Sequence, residues 1–282
     1  MTARRRTQVA VYGFATLTAA IILAPFCWLV IASLTPQNEL IQVPLHWIPQ
    51  HATTRRFTSI FTQGGEGIAA TFRYSVINSM IVACCSTAIG IAVGVLGAYA
   101  FARLRFRFRR MTLMVFLGTY MLPPIVLLIP LYTILSSLQL LDSKVGLIVV
   151  YCSYVTPFIL WILSNYFLTI PADLEEAARV DGCTRLGALF RIILPVARPG
   201  IFAAIMFGFL LAWDEFMYAL IFTSSSSSKT IPVAIAEFTG KHSTDFGLVA
   251  AGGVIAALPP ILLAIGFQRY VVSGLAAGAV KG

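Results

Sequence analysis

The chain has 282 residues, 59% of them hydrophobic and 11% charged, with a mean hydropathy of +0.87 and a formal net charge of +9. An ordinary soluble domain, with about 25% charged residues, is excluded. In so apolar a chain the positive excess points to the cytoplasmic side of a membrane rather than to nucleic acid.

Six segments carry the roughly 20 mainly apolar residues that a helical span needs. They lie near 9–33, 76–101, 111–135, 145–168, 200–222 and 247–269. The expected fold is an all-α integral membrane protein, a single transmembrane domain over residues 1–282. The first run follows Arg4, Arg5 and Arg6 and is too long for the apolar core of a cleaved signal peptide, so an uncleaved span is expected. Gly90, Gly94, Gly97 and Ala98 in the second span predict close helix packing. Prolines cluster in the third span (Pro123, Pro124, Pro130) and the sixth (Pro259, Pro260). Each cluster is either a tolerated kink or a distorted helix beside a pathway.

Two long segments lie between spans on one side. Residues 34–75 contain Pro36, Pro44, Pro49, an amphipathic stretch at Leu45–Ile48 and the pair Gly64–Gly65. They predict a cap resting on the bundle. Residues 223–246 open with Ser224 to Ser228 and continue through Ile231, Pro232, Phe238, Gly240 and Asp245. Such a segment is either a flexible linker or a mobile loop that touches something outside.

Charge decides orientation. Arg4 to Arg6, Arg103 to Arg110, Arg179 to Arg198, Arg269 and Lys281 place fourteen basic residues on one side; Arg55, Arg56, Arg73, Lys144, Lys229 and Lys241 place six on the other. Both termini and the 169–199 loop are therefore expected in the cytoplasm. In that loop Pro171 suits a first helical position, and Asp173, Glu175 and Glu176 put negative charge at the helix N-terminus. Gly182 is a stop, Thr184 a cap for a second helix, and Leu186, Phe190, Ile193 and Leu194 fall on one face before Pro195 ends it. Two short helices in water between spans read as a docking element or as a solvated surface.

Asp214 and Glu215 are the only acidic pair inside a span, flanked by Trp213, Phe216 and Tyr218. At 1.5 Å per residue Asp214 stands roughly 21 Å from Gly200. The pair is either interfacial at a frayed helix end or lines a pathway. There is no phosphate-binding loop, no metal-binding H-E-x-x-H and no nucleophile elbow. The histidines His46, His51 and His242 lack metal spacing, and Cys27, Cys84, Cys85, Cys152 and Cys183 read as small buried hydrophobes. No catalysis and no bound cofactor or metal are expected.

Glu176-Ala177-Ala178, three residues, Gly182, nine residues, Ile192-x-Leu194-Pro195 resembles without a gap the EAA loop of ABC importer permeases. Asn78-Ser79 to Leu104, Leu122-Pro123-Pro124 through Leu131, Trp213 to Phe216, and Gly274 to Gly282 resemble its carbohydrate branch, of the maltose-transporter G type. The resemblance covers residue 9 to the C-terminus. It implies the type I importer permease fold, with a cytoplasmic coupling helix, in a bacterial or archaeal inner membrane. It implies a second, similar permease, two copies of an ABC ATPase that holds ATP and Mg, and an extracytoplasmic sugar-binding protein. Glu175, Glu176, Ala177, Ala178, Asp181, Gly182, Leu194 and Pro195 are then expected to dock the ATPase. Trp213, Asp214, Glu215, Phe216 and Tyr218 are expected on the translocation path, and Ile231, Pro232 and Phe238 against the binding protein. The branch commonly has Asn where this chain has Asp214. Three rivals stand beside this reading: import of glycerol 3-phosphate or another polyol, a proton-coupled transporter using Asp214–Glu215, and a membrane enzyme.

Overall fold

The computed structural model describes residues 3–44, 46–62, 68–239 and 245–279. Leu45, Gly64, Gly65, Gly240, Lys241, His242 and the end of the tail, Val280 to Gly282, lie outside the described residues. All described elements are helical. In chain order they are α1 (Ala3–Leu34), α2 (Gln37–Leu40), α3 (Arg55–Thr62), α4 (Ile68–Arg103), α5 (Arg109–Tyr120), α6 (Pro124–Ser137) and α7 (Lys144–Thr169). Then come α8 (Asp173–Val180), α9 (Arg185–Ala188), a π-helical turn (Leu189–Ile193), α10 (Leu194–Val196), α11 (Arg198–Trp213), α12 (Met217–Phe222), α13 (Ile231–Glu237) and α14 (Phe246–Ala279). Helices are what the composition demands, because in hydrocarbon a segment must satisfy its own backbone.

Among the described residues four helices are long and apolar enough to cross a membrane: α1, α4, α7 and α14. The third predicted span is instead two helices, α5 and α6, bent by 90°. The break falls at Met121–Pro123, where α6 starts with Pro124 in its first turn, because proline cannot continue the ladder of the preceding helix. Pro259 and Pro260 sit inside α14 without ending it. The fifth predicted span is also two pieces, α11 and α12, separated at Asp214–Phe216. Two bent pairs, α5 with α6 and the α9–α10 segment with α11, give up to six crossings among the described residues when each is counted as one span.

Two compact units divide the chain, one of residues 1–73 and 234–258, the other of 74–233 and 259–282. In the first, Arg56 is the organising cation. Its guanidinium donates to the Thr35 carbonyl at 2.5 Å and lies 3.1 Å from the Asp245 carboxylate. It passes so close to Gly247 that a Cβ there would meet it at 2.0 Å. Buried Glu39 accepts from the Gln50 amide at 3.0 Å, and Phe72 packs on Phe238 with ring centroids 5.3 Å apart.

In the second unit α7 is central. Leu147, Val150, Tyr151, Val155, Ile159, Leu163 and Phe167 are all fully or nearly fully buried. The predicted glycine packing is present and its partner is Ile159. A Cβ at Gly94 of α4 would stand 2.7 Å from Ile159, and one at Gly208 of α11 2.8 Å from the same side chain. Two neighbouring helices thus close on α7 at glycines, as helices do where hydrophobic association gives way to backbone approach.

The candidate docking loop, the aromatic groove and the serine turn

After α7 the chain turns at Ile170, which is extended, and α8 starts at Asp173 with Ala172 as N-cap. Pro171 therefore precedes the helix rather than opening it. Ala172 offers no side-chain cap, so stabilisation of the N-terminus comes from Asp173, Glu175 and Glu176 in the first turn. At the other end the Gly182 amide donates to the Arg179 carbonyl at 3.1 Å and the Cys183 amide to Ala178 at 2.9 Å. That pair of bonds is a Schellman closure, and Gly182 has the φ of +87° it needs. Thr184 caps α9 as expected, its hydroxyl accepting the Gly187 amide at 3.1 Å.

Only part of the face predicted for the second helix is buried: Ile193 fully and Leu194 half. Ala188, Leu189, Ile193 and Ala197 are fully buried, whereas Leu186 and Phe190 are 58% and 56% exposed. The π turn at Leu189–Ile193 adds a residue, which parts Ile193 from the exposed face of Leu186 and Phe190 and sets it with Leu189. Pro195 does not end the helix either; it lies in α10, and the direction changes at Ala197 by 81°.

Among the residues expected to dock a partner, Glu176, Ala177, Asp181, Gly182 and Pro195 are exposed, and Leu194 is half-buried. Ala178 is buried within this chain, so its small size serves internal packing. Glu175 also points inward. Its carboxylate accepts the Tyr99 hydroxyl at 2.5 Å and stands 3.5 Å from Nε of Arg103. Val180, exposed by 87%, joins Leu186 and Phe190 as apolar surface on a loop rich in charge.

Glu215 occupies the break between α11 and α12. Its carboxylate accepts the amides of Tyr218 at 2.8 Å and Ala219 at 3.1 Å, and the Tyr151 hydroxyl at 2.7 Å. It thus caps α12, whose N-cap residue Phe216 has no side-chain bond of its own. Glu215 and Tyr218 border a groove of about 980 Å³, lined also by Val93, Tyr120, Leu131 and Tyr154. Tyr154 stacks with Tyr218 at 6.2 Å, and its buried hydroxyl has no hydrogen-bond partner. Trp213 instead stacks on Phe209 in the interior, and exposed Asp214 and Phe216 do not line the groove. Of the groove's tyrosines, Tyr218 was expected on the path, whereas Tyr120 and Tyr154 went unread in the sequence.

The serine run is an ordered turn, not a slack linker. Asp142, in left-handed conformation at φ +52°, accepts the amides of Ser224 at 2.8 Å and Ser225 at 2.9 Å and the Ser228 hydroxyl. Asn78 donates to the carbonyls of Ser226 and Lys229, Lys144 to that of Ser227, and Ser79 accepts the Ile231 amide. Ile231 and Phe238 are buried and Pro232 half-buried, so in this conformation they present little surface to another protein; Glu237 and Thr239 are exposed instead.

Partial burial opposes ionisation of Asp142, but the two amides and the hydroxyl outweigh it and hold the carboxyl well below the ordinary 3.8. A depressed pKa gives stability that is complete above the unfolded value and is lost only as pH falls through the folded one. Hydrogen exchange of the Ser224 and Ser225 amides is therefore expected to show no extra opening between pH 8 and pH 5. Asp142→Ala should speed it about tenfold or more at either pH, since bonds to a charged acceptor are worth about 1.5–3 kcal/mol.

Residues 89–276 match the family of binding-protein-dependent transport system inner membrane components. The chain belongs to that family. It is 37% identical to the sulfoquinovosyl glycerol transport system permease of Agrobacterium fabrum, over 92% of this chain and 89% of that one. It is 35% identical to the trehalose/maltose transport system permease of Thermococcus litoralis, over 95% of both. With the trehalose transport system permease of Mycobacterium tuberculosis it shares 37% identity over the full length of both. A bacterial ABC transporter that imports the acidic polysaccharide alginate contains a chain of the same fold, with a TM-score of 0.79, 19% identity and coverage of 96% and 98%. As a family member this permease is a membrane component of an ABC importer, and ATP hydrolysis resides on a separate subunit.

Proposed function

We propose that this permease imports a sugar of di- or oligosaccharide size, with a second permease, two ATPase copies and an external binding protein. In this reading residues 1–282 work as one permease domain of six spans, with α5–α6 as the third and α11–α12 as the fifth. Both termini and the 169–199 loop face the cytoplasm, as the basic residues favour. The observation that carries the docking role is that loop. Val180, Leu186 and Phe190 expose apolar surface beside Glu176, Asp181 and the left-handed Gly182 on short, capped helices outside the spans. Exposed apolar groups rimmed by charge are what a partner surface covers.

The sugar assignment rests on the substrates for which the relatives are named and on the groove. Its tyrosine rings offer flat apolar faces, while the Tyr154 hydroxyl and Glu215 carboxylate add a few polar groups, the usual make-up of a small-molecule site. The outer segment 223–246, held at its base by Asp142, is the part that meets the binding protein, through exposed residues such as Glu237 and Thr239 once Ile231 and Phe238 are accounted as core.

Titration of the external binding protein with trehalose, maltose, sulfoquinovosyl glycerol and glycerol 3-phosphate tests the substrate class. One of the three sugar compounds is expected to bind at least tenfold more tightly than glycerol 3-phosphate. The reverse order contradicts the reading.

A further inference from the structure

We infer that Tyr99 and Arg103, one helical turn apart on α4, are positioning residues that couple the 169–199 loop to the membrane helices. The inference rests on the reading of that loop as the ATPase dock.

A docked loop moves a transporter only through its attachments, and the covalent ones here are poor levers. At one end Ile170 leaves α7 in extended conformation; at the other Ala197 stands at a bend of 81°. Both are places where the backbone changes direction, and hinges absorb rotation at such element ends. The loop has a third attachment, to a helix that is not its neighbour in sequence. Tyr99 and Arg103 lie on one face of α4, as residues four apart do. The Tyr99 hydroxyl donates its single hydrogen to Glu175 Oε1 at 2.5 Å, with the Arg185 carbonyl 3.4 Å away. Arg103 donates to the Ile170 carbonyl at 2.7 Å, and its Nε is 3.5 Å from Glu175 Oε2. The start of the loop and α8 are therefore held by two side chains, with the first residue of α9 packed beside the same hydroxyl.

The setting makes the grip firm. Tyr99 is 4% exposed, and the Arg103 and Glu175 side chains 11% and 12%. A carboxylate and a guanidinium this sheltered are retained where they are paired with each other and hydrogen-bonded. The adjacent acids of α8 divide the work: Glu176 faces outward, where a partner can reach it, and Glu175 fastens the same turn to α4. From there α4 leans on α7 through Gly90, Gly94 and Gly97 against Ile159 and Leu160. A push on the loop thus reaches the packed helices by rigid contact, not through the hinged ends.

The test uses the whole importer in proteoliposomes, measuring uptake of each of the three sugar compounds above per ATP hydrolysed. Tyr99→Phe removes one hydroxyl and no packing volume, and Glu175→Gln keeps the shape of its side chain. Both complexes are expected to co-purify with the ATPase and to hydrolyse MgATP, while uptake per ATP falls about fivefold or more. The double variant should be little worse than either single one, because both act on one contact. Should Tyr99→Phe lower the yield, Arg103→Lys, which keeps the charge and loses the fork, is read by the same ratio. A merely structural contact would lower yield and melting temperature and leave the ratio intact; that result, or unchanged variants, overturns the inference. A wild-type complex without an ATPase overturns the docking reading itself, whatever the variants do.

Discussion

Glu176→Lys combined with Gly182→Asp is expected to abolish uptake while leaving the amount of permease in the membrane close to that of the wild type. Glu176 is exposed, so reversing its charge costs the fold little. Against a basic partner surface the same change replaces attraction by repulsion, a difference of several kcal/mol at an interface. Gly182 adds a backbone effect. Its φ of +87° closes α8, and a residue with a Cβ is strained there by roughly 1–2 kcal/mol. The strain falls on the turn that presents Glu176 and Asp181, not on the helices that cross the membrane. Immunoblotting of membranes and co-purification of the ATPase separate the outcomes: loss of uptake with loss of the ATPase supports the dock, and uptake equal to wild type with both changes removes it.

Replacement of Glu215 by Leu has the largest expected cost to the fold. The amides of Tyr218 and Ala219 and the Tyr151 hydroxyl all lose their acceptor. Each buried donor left unpaired costs about 1–3 kcal/mol, so roughly 3 kcal/mol or more is expected, seen as a lower melting temperature in detergent. Glu215→Gln keeps a carbonyl oxygen but turns an NH₂ toward donors, and should fall between. The same substitutions distinguish a cap from a proton carrier. If Glu215 carried protons, Glu215→Gln would end uptake with the fold intact. As the cap of α12, it should lower stability and uptake together.

The all-helical class and the order of the apolar segments were legible because a 20-residue apolar run has few other fates in a bilayer, whereas the breaks that divide the third and fifth runs were not. Gly182 and Thr184 were legible because stop and cap chemistry is local. What escaped notice depended on rotation and on distance. The π turn at Leu189–Ile193 parts buried Ile193 from exposed Leu186 and Phe190, although ordinary helical spacing puts all three on one face. Glu175 and Glu176 are neighbours of one chemistry, and only Tyr99 and Arg103, more than seventy residues earlier, decide which of the two turns inward. The serine run reads as slack because its acceptor, Asp142, is supplied by a separate loop, in a left-handed conformation that nothing in the run itself indicates.

Uptake by the purified importer in proteoliposomes is the most direct measurement of whether this permease is driven through its loop by a separate ATPase. Uptake is expected only with MgATP on the ATPase side. It should persist in an uncoupler, stop with vanadate, and vanish when Glu176→Lys and Gly182→Asp are introduced into this subunit alone. Uptake by the permease without the ATPase, collapsing when the proton gradient is discharged, would contradict that account.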